Sequence, residues 1–312
     1  DLLERAAFNA LPATISADWT SHQYDQQANQ VICNVARRPW SNGPDANLFG
    51  LEPHFGCCTA NMHQGWPKFA AHLWLSDRAG GLAAVGYAPC RVRTVVADGA
   101  RLTLEVDGGY PFREDVTLRL GLDRPARFAL RLRIPGWCAG PGLKINGEPA
   151  PLPRAEHGFA VVERDWSDGD LVELALPMPV ELVRRQEPGV TVRRGPLIFA
   201  LPIEEDWRPL RARERFSDWE IWPAAPWQYG IDADSDFTPV FGEIGRQPFE
   251  AATAPVRLAV RGRLVRNWAM KQNSAAAPPL RCDTAGQESV PLELVPYGSA
   301  RLRVTELPLL PD

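Results

Sequence analysis

Residues 127–134 read RFALRLRI. Phe128, Leu130, Leu132 and Ile134 fall on one face, and Arg127, Arg131 and Arg133 fall on the other. Side chains of a strand point to opposite faces in turn, so this period of two predicts a half-buried antiparallel strand. The same alternation runs outward in both directions. CRVRTVV (90–96), RLTLEVD (101–107) and DVTLRL (115–120) precede it, and FAVVER (159–164), LVELAL (171–176) and VELVRR (180–185) follow. VDGGYP, INGEP and SDGD supply turn residues between them. Many short strands with closely spaced turns predict a mainly β chain built on an antiparallel β-sandwich. We take it to run over residues 81–203, with GPLIFAL (195–201) as its last strand.

The flanks have other patterns. LLERAAFNAL (2–11) repeats apolar residues at helical spacing. TANMHQGWPKFAAHLWLSD (59–77) reads as a second helix with Met62, Trp66, Phe69, Leu73 and Trp74 on one stripe, Thr59 or Asn61 as its cap, and Pro67 kinking it. Between them RRPWSNGPDANLFGLEPHFG (37–56) predicts a long irregular loop. Residues 1–80 therefore form a helix-and-loop region. Residues 204–255 hold Trp207, Trp219, Trp222 and Trp227 with several prolines and little period, and predict a loop-rich linker. Strands resume at VRLAVRG (256–262), VPLELVP (290–296) and ARLRVTEL (300–307), so 204–312 reads as linker plus C-terminal strands.

Composition narrows the classes. The 312 residues allow two or three domains. A net charge of -4 gives no reason to expect nucleic acid as a partner, and no apolar run is long enough for a membrane span. The compartment stays open between cytoplasm and periplasm. Six cysteines without a CxxC pair do not make a disulfide framework.

Two of the six are adjacent, Cys57 and Cys58, in FGCCTAN (55–61). Their Cα atoms lie about 3.8 Å apart, short of the usual disulfide range. Neighbouring thiolates suit a soft cation such as Zn²⁺, and a helix N-terminus favours a thiolate. A functional pair and a structural pair both remain open on these grounds. His54, three residues before Cys57, and His22 are candidate members of the same pocket. Trp40 and Trp66 flank the pair and are candidates for stacking on a sugar ring. Nothing singles out Glu52 among the carboxylates.

GLEPHFGCCTANMHQGWPKFAAHLWL (50–75) resembles glycoside hydrolase family 127, the β-L-arabinofuranosidase family. SHQYDQQANQ, YPFREDVTLRL, LRIPGW, INGE, WSDGDLVELALPMPV, RRGPLIFALP and LVPYGSARLRVTELP agree in the expected order, so the likeness runs along essentially the whole chain. It implies an (α/α)₆ barrel followed by β-sandwich domains. Eighty residues cannot hold twelve helices of roughly 10–14 residues each, so residues 1–80 are expected to be the last helices of that barrel and the chain a C-terminal portion. It also implies retaining hydrolysis of a glycoside or oligosaccharide with a zinc-bound cysteine nucleophile: Cys57 as nucleophile and ligand, Cys58 as ligand. The family's Glu-x-Cys element, which supplies further ligands, does not occur here, nor is an acid/base Glu assigned. The chain alone is therefore expected to be inactive and to bind Zn²⁺ weakly. A second copy of the chain, docked through the β-domains, is a further expected partner. Two other readings stand beside this one: a non-catalytic carbohydrate-binding β-sandwich, and a structural or redox role for the thiol pair.

Overall fold

The computed structural model describes residues 1–51, 56–186, 189–213 and 216–311. The chain divides into two compact units, one of Asp1–Glu4 with Trp66–Pro179, the other of Arg5–Gly65 with Val180–Asp312. No helix among the described residues is long and apolar enough to cross a membrane.

The first unit is the expected sandwich. One antiparallel sheet orders its strands 148–149, 142–145, 171–175, 115–122, 100–108 and 90–96. The other orders 159–166, 126–133, 82–84 and 74–76, with 82–84 parallel to 126–133. Each strand buries alternate residues: Leu102, Leu104 and Val106 in one, Val116, Leu118 and Leu120 in its neighbour, Phe128, Leu130 and Leu132 in the opposite sheet. Each such side chain contributes about 1.5–3 kcal/mol of burial, which is why the period of two settles the architecture. Trp166 is fully buried among them, and its indole N–H donates to the Phe128 carbonyl at 3.0 Å. Arg133 anchors the first residues of the chain, reaching Asp1 at 2.8 Å and pairing with the buried Glu4.

The second unit carries a nine-stranded sheet. Gly189–Arg194 pairs with Val180–Gln186 along one edge. Along its other edge it pairs with two strands in turn, Leu197–Pro202 at one end and Glu306–Leu310 at the other. From Glu306–Leu310 the pairings continue through Tyr229–Asp232, Val256–Leu264 and Val290–Pro296 back to Leu197–Pro202, so the ring of hydrogen-bonded neighbours closes. Where Tyr229–Asp232 and Val256–Leu264 cross, a Cβ on Gly262 would lie 2.2 Å from the Gly230 carbonyl oxygen, so only glycine fits. GPLIFAL therefore belongs to this sheet and does not close the sandwich. Alternation identifies a strand, whereas the sheet it joins is set by pairing with residues a hundred positions away.

The region expected as a linker is also corrected. Glu205–Arg213 and Phe216–Pro223 form a hairpin that extends a small sheet with His22–Gln23 and Phe49–Gly50. Its register shifts between Pro209 and Arg211, and that bulge breaks the alternation that would have revealed it. The second helix is corrected too. It is two short helices, Gly56–Met62 and Gly65–Ala71, and Trp74–Ser76 is already a strand paired with Leu82–Ala84. Pro67 sits in the first turn of the later helix, where it needs no hydrogen-bond partner and makes no kink. The N-terminal segment is helical as expected from Leu2 to Ala13, with one wider turn at Ala6–Ala10.

SHQYDQQANQ and the C-terminal YGSARLRVTE interlock in the second unit. Gln30 donates to the Arg301 carbonyl at 2.7 Å, and the Arg303 backbone N–H donates to the Gln30 carbonyl at 2.8 Å. The Asn29 side chain accepts from the backbone of Thr305 and Glu306 and donates to the Glu306 carbonyl. Arg303 is fully buried at the centre, with its guanidinium over the Tyr297 ring at 3.9 Å.

Candidate active site

Gly56–Met62 holds the cysteine pair inside its first turn. The helix begins three residues before Thr59, where the sequence reading placed its start, and so takes in both cysteines. Both thiols are free; Cys57 is exposed and Cys58 half-buried. The Sγ atoms stand 4.0 Å apart, twice a disulfide bond length. Asn61 folds its side chain back to donate to the Cys57 carbonyl at 2.7 Å, and Gln64 donates to Asn61 at 3.1 Å. This local network ends the helix at Met62. Asn61 thus works at the end of the helix and does not cap its start.

The electrostatics oppose a bare thiolate at Cys58. Burial, then the hydrogen bond to Cys57, its neighbouring charge and that of Asp25 push the Cys58 thiol up to about 11. A coordinated cation reverses that balance, because a metal-bound thiol is deprotonated outright. Two thiolates at about 2.3 Å from a tetrahedral zinc stand about 3.8 Å apart. The observed 4.0 Å therefore fits two adjacent corners of such a site. Among the described residues no group of three or more His, Cys, Asp or Glu could hold a metal ion. The donors present are thus a fitting pair and not a complete set.

The remaining sequence candidates are dispersed. His54, like Glu52, lies outside the described residues. His22 is buried in the strand pair with Phe49–Gly50. Trp40 is half-buried, its indole N–H donating to the Ser274 hydroxyl at 3.1 Å, and the Arg38 guanidinium stands over its ring at 5.6 Å. Trp66 opens the part of the chain that belongs to the first unit, in the helix Gly65–Ala71. The tryptophans of the hairpin pack on one another: Trp207 meets Phe49 and Trp219 edge to face at 5.5 and 6.0 Å. Cys33 is fully buried, as expected of a small apolar side chain, while Cys90, Cys138 and Cys282 are half-buried.

Asp25 is the residue that the sequence reading passed over. It lies in SHQYDQQANQ, its carboxylate accepts the Asn42 backbone N–H at 2.8 Å, and its charge reaches Cys58. Asn47 donates to the Asp25 carbonyl, so residues 24–26 and the loop 40–47 are stitched together in the second unit. The only signal in sequence was the presence of Asp25 inside a motif already noted.

Residues 81–178 match the family model described as beta-L-arabinofuranosidase, GH127 middle domain. They fall in the sandwich unit. No curated protein matches the chain by sequence. Among solved structures, one described as a glycoside hydrolase superposes with a TM-score of 0.70 at 22% identity, over 98% of this chain and 47% of that one. A GH127 beta-L-arabinofuranosidase from Geobacillus stearothermophilus T6 gives 0.64 at 21% identity, over 99% and 45%. A further GH127 beta-arabinofuranosidase gives 0.68 at 19% identity, over 98% and 45%. At these identities the likeness shows the fold. The chain spans a little under half the length of these structures. It is similar to part of a family 127 glycoside hydrolase, and its mainly β architecture is that of the corresponding part.

Proposed function

We propose that the chain is part of a retaining glycoside hydrolase acting on β-L-arabinofuranosides or a related glycoside, with Cys57 as nucleophile and Cys58 beside it as zinc ligand. The observation that carries the reading is the pair of free thiols 4.0 Å apart, close to the edge of a tetrahedral zinc–thiolate site. Zinc, when bound, would hold both sulfurs as thiolates near neutral pH. Cys57 is the better placed to meet a substrate because it is exposed, whereas Cys58 is half-buried and serves as an anchor. Asn61 fixes the backbone of Cys57, which limits how far the nucleophile can wander. Asp25 adds negative charge that reaches Cys58 and so favours a bound cation.

Because no group of three or more His, Cys, Asp or Glu among the described residues could hold a metal ion, further ligands and a general acid are needed to complete the site, and the 312-residue chain by itself does not turn over substrate. Two measurements test the reading. Turnover of an aryl β-L-arabinofuranoside by the 312-residue chain would refute the claim that it is incomplete. In an active protein containing this sequence, Cys57→Ser should abolish hydrolysis; unchanged activity would remove the nucleophile assignment.

A further inference from the structure

One edge of the strand Val256–Leu264 is followed by two consecutive stretches of chain. Residues 229–231 pair with 262–264, and Thr238–Phe241 pairs with 256–259. Between these pairings seven positions on one side, Ile231 to Thr238, face three on the other, Ala259 to Gly262. The surplus residues have no place in the ladder and leave it as a loop that carries Asp234, Ser235 and Asp236. The Ser235 hydroxyl accepts the Arg261 backbone N–H at 2.8 Å, which ties the loop to the strand. This loop, with Arg261, Arg263 and Ser289 on the sheet, lines an open cavity of about 730 Å³. That volume lies within the range of ligand pockets, about 300–1,000 Å³.

The polar groups of the cavity divide into a fixed set and an unengaged set. Asp232 is buried and accepts from Arg263 Nε at 2.6 Å and from the Ser289 hydroxyl. Arg261 donates to that hydroxyl at 3.1 Å and to the Ser289 carbonyl at 2.6 Å. Two guanidinium groups are thus held around one buried carboxylate by charge-assisted bonds. Asp234 and Asp236 are exposed, and their carboxylates have no hydrogen-bond or ion-pair partner among the described residues. This mixture selects by charge. A metal ion would meet two guanidinium groups, and no group of three or more His, Cys, Asp or Glu among the described residues could hold one. An anion would meet Asp234 and Asp236. A neutral ligand whose groups both donate and accept suits both sets. A sugar hydroxyl is such a group: it gives its proton to a carboxylate and accepts from a guanidinium. Ala259 and Pro291 add apolar lining for the C–H face of a ring.

We propose that this cavity binds a neutral saccharide, with Asp234 and Asp236 accepting from its hydroxyls and Arg261 and Arg263 donating to them. The site is independent of the roles given to Cys57 and Cys58. In a protein that cleaves glycosides it would hold a glycan chain through a sugar other than the one being cleaved.

The test uses the 312-residue chain. Arabinotriose, xylotriose and maltotriose are the neutral probes, and trigalacturonate and Ca²⁺ are the charged ones, each titrated by calorimetry. At least one neutral probe should bind with a Kd of about 1 mM or tighter. Asp234→Ala combined with Asp236→Ala removes both unengaged acceptors from the exposed loop and should weaken that binding about tenfold or more. Arg261→Ala should weaken it as well. Glu148→Ala, an exposed carboxylate of the other unit, should leave it unchanged. With the saccharide bound, amide hydrogen exchange should slow at residues 232–238 and 289–291. The proposal is overturned if no neutral probe binds, if binding survives the double substitution, if exchange slows only elsewhere, or if a charged probe binds more tightly than every neutral one. Failure of these tests leaves the thiol reading to its own measurements, and the reverse holds too.

Discussion

Replacing Arg303 by methionine tests how the second unit holds together. Arg303 is fully buried, and its two terminal nitrogens donate to the carbonyls of Gln27 at 2.8 Å, Ala300 at 2.9 Å and Arg301 at 3.2 Å. They also reach the Gln26 side chain at 3.1 Å and the Tyr297 hydroxyl at 2.6 Å. Methionine keeps the length of the stem and removes every donor. Tyr297 can still donate to Gln26, but three carbonyls lose a buried partner. An unmade buried hydrogen bond costs about 1–3 kcal/mol, and breaking a buried charged network costs about 3–5 kcal/mol in total. We expect a loss of about 4 kcal/mol. For a unit of this size that lowers the midpoint by about 8–16 °C. Differential scanning calorimetry of the 312-residue chain measures it, with Arg208→Met as a control. Arg208 pairs with Asp206 in solvent, and its replacement should move the transition by less than about 2 °C. A shift below about 3 °C for Arg303→Met would refute the argument that residues 26–30 and 297–306 are held by this network.

Three further expectations rest on other features. Burial pushes the Cys33 thiol from 9.0 up to about 12, against the lowering effects of Arg303, Gln23 and Arg38. A group raised on folding stabilises fully below its unfolded value and loses that contribution as pH rises toward the folded one. The second unit should therefore lose about 2 kcal/mol between pH 9 and 10.5 relative to Cys33→Ala; parallel urea-derived stabilities for the two proteins would contradict this. Trp166→Phe removes the donor to the Phe128 carbonyl and leaves a small void, and should cost the sandwich about 2–3 kcal/mol in urea unfolding. Gly262→Ala forces a methyl to within 2.2 Å of the Gly230 carbonyl and should cost about 1–3 kcal/mol, whereas Gly245→Ala, with nothing within 4 Å, should fall within about 0.5 kcal/mol of the unsubstituted chain.

What the sequence made legible follows the range over which each cause acts. RFALRLRI and its neighbours were readable because burial of alternate residues is written along each strand. The hairpin Glu205–Pro223 escaped notice because its bulge shifts the phase of that alternation midway. The stretch 59–77 looked like one helix because Leu73 and Trp74 continue an apolar stripe, yet their partners are Val85 and Ala84 in a sheet. At the candidate site the adjacency of Cys57 and Cys58 is itself a sequence fact. Asp25, whose charge reaches Cys58, stands on another segment, and no local pattern connects the two. The likeness to family 127 identified the motif SHQYDQQANQ without saying what it does. The structure gives the side chains of Gln26, Asn29 and Gln30 to a lock with the C-terminal segment.

That lock has a consequence for how the protein is made. Asn29 and Thr305 are joined across 276 positions, and Thr305 also bonds the Ala28 carbonyl across 277. At about 5–20 residues per second a ribosome needs roughly 15–55 s to travel that distance. The sandwich residues Trp66–Pro179 emerge in the interval and contain all the strands of their own two sheets. They can close while the earlier glutamines and asparagines still lack their arginines. During synthesis, then, residues 26–30 wait for residues 297–306. A chaperone that shields residues 5–65 until translation reaches Arg303 would be rewarded with yield, and a slowed ribosome downstream of Pro179 would be penalised by it.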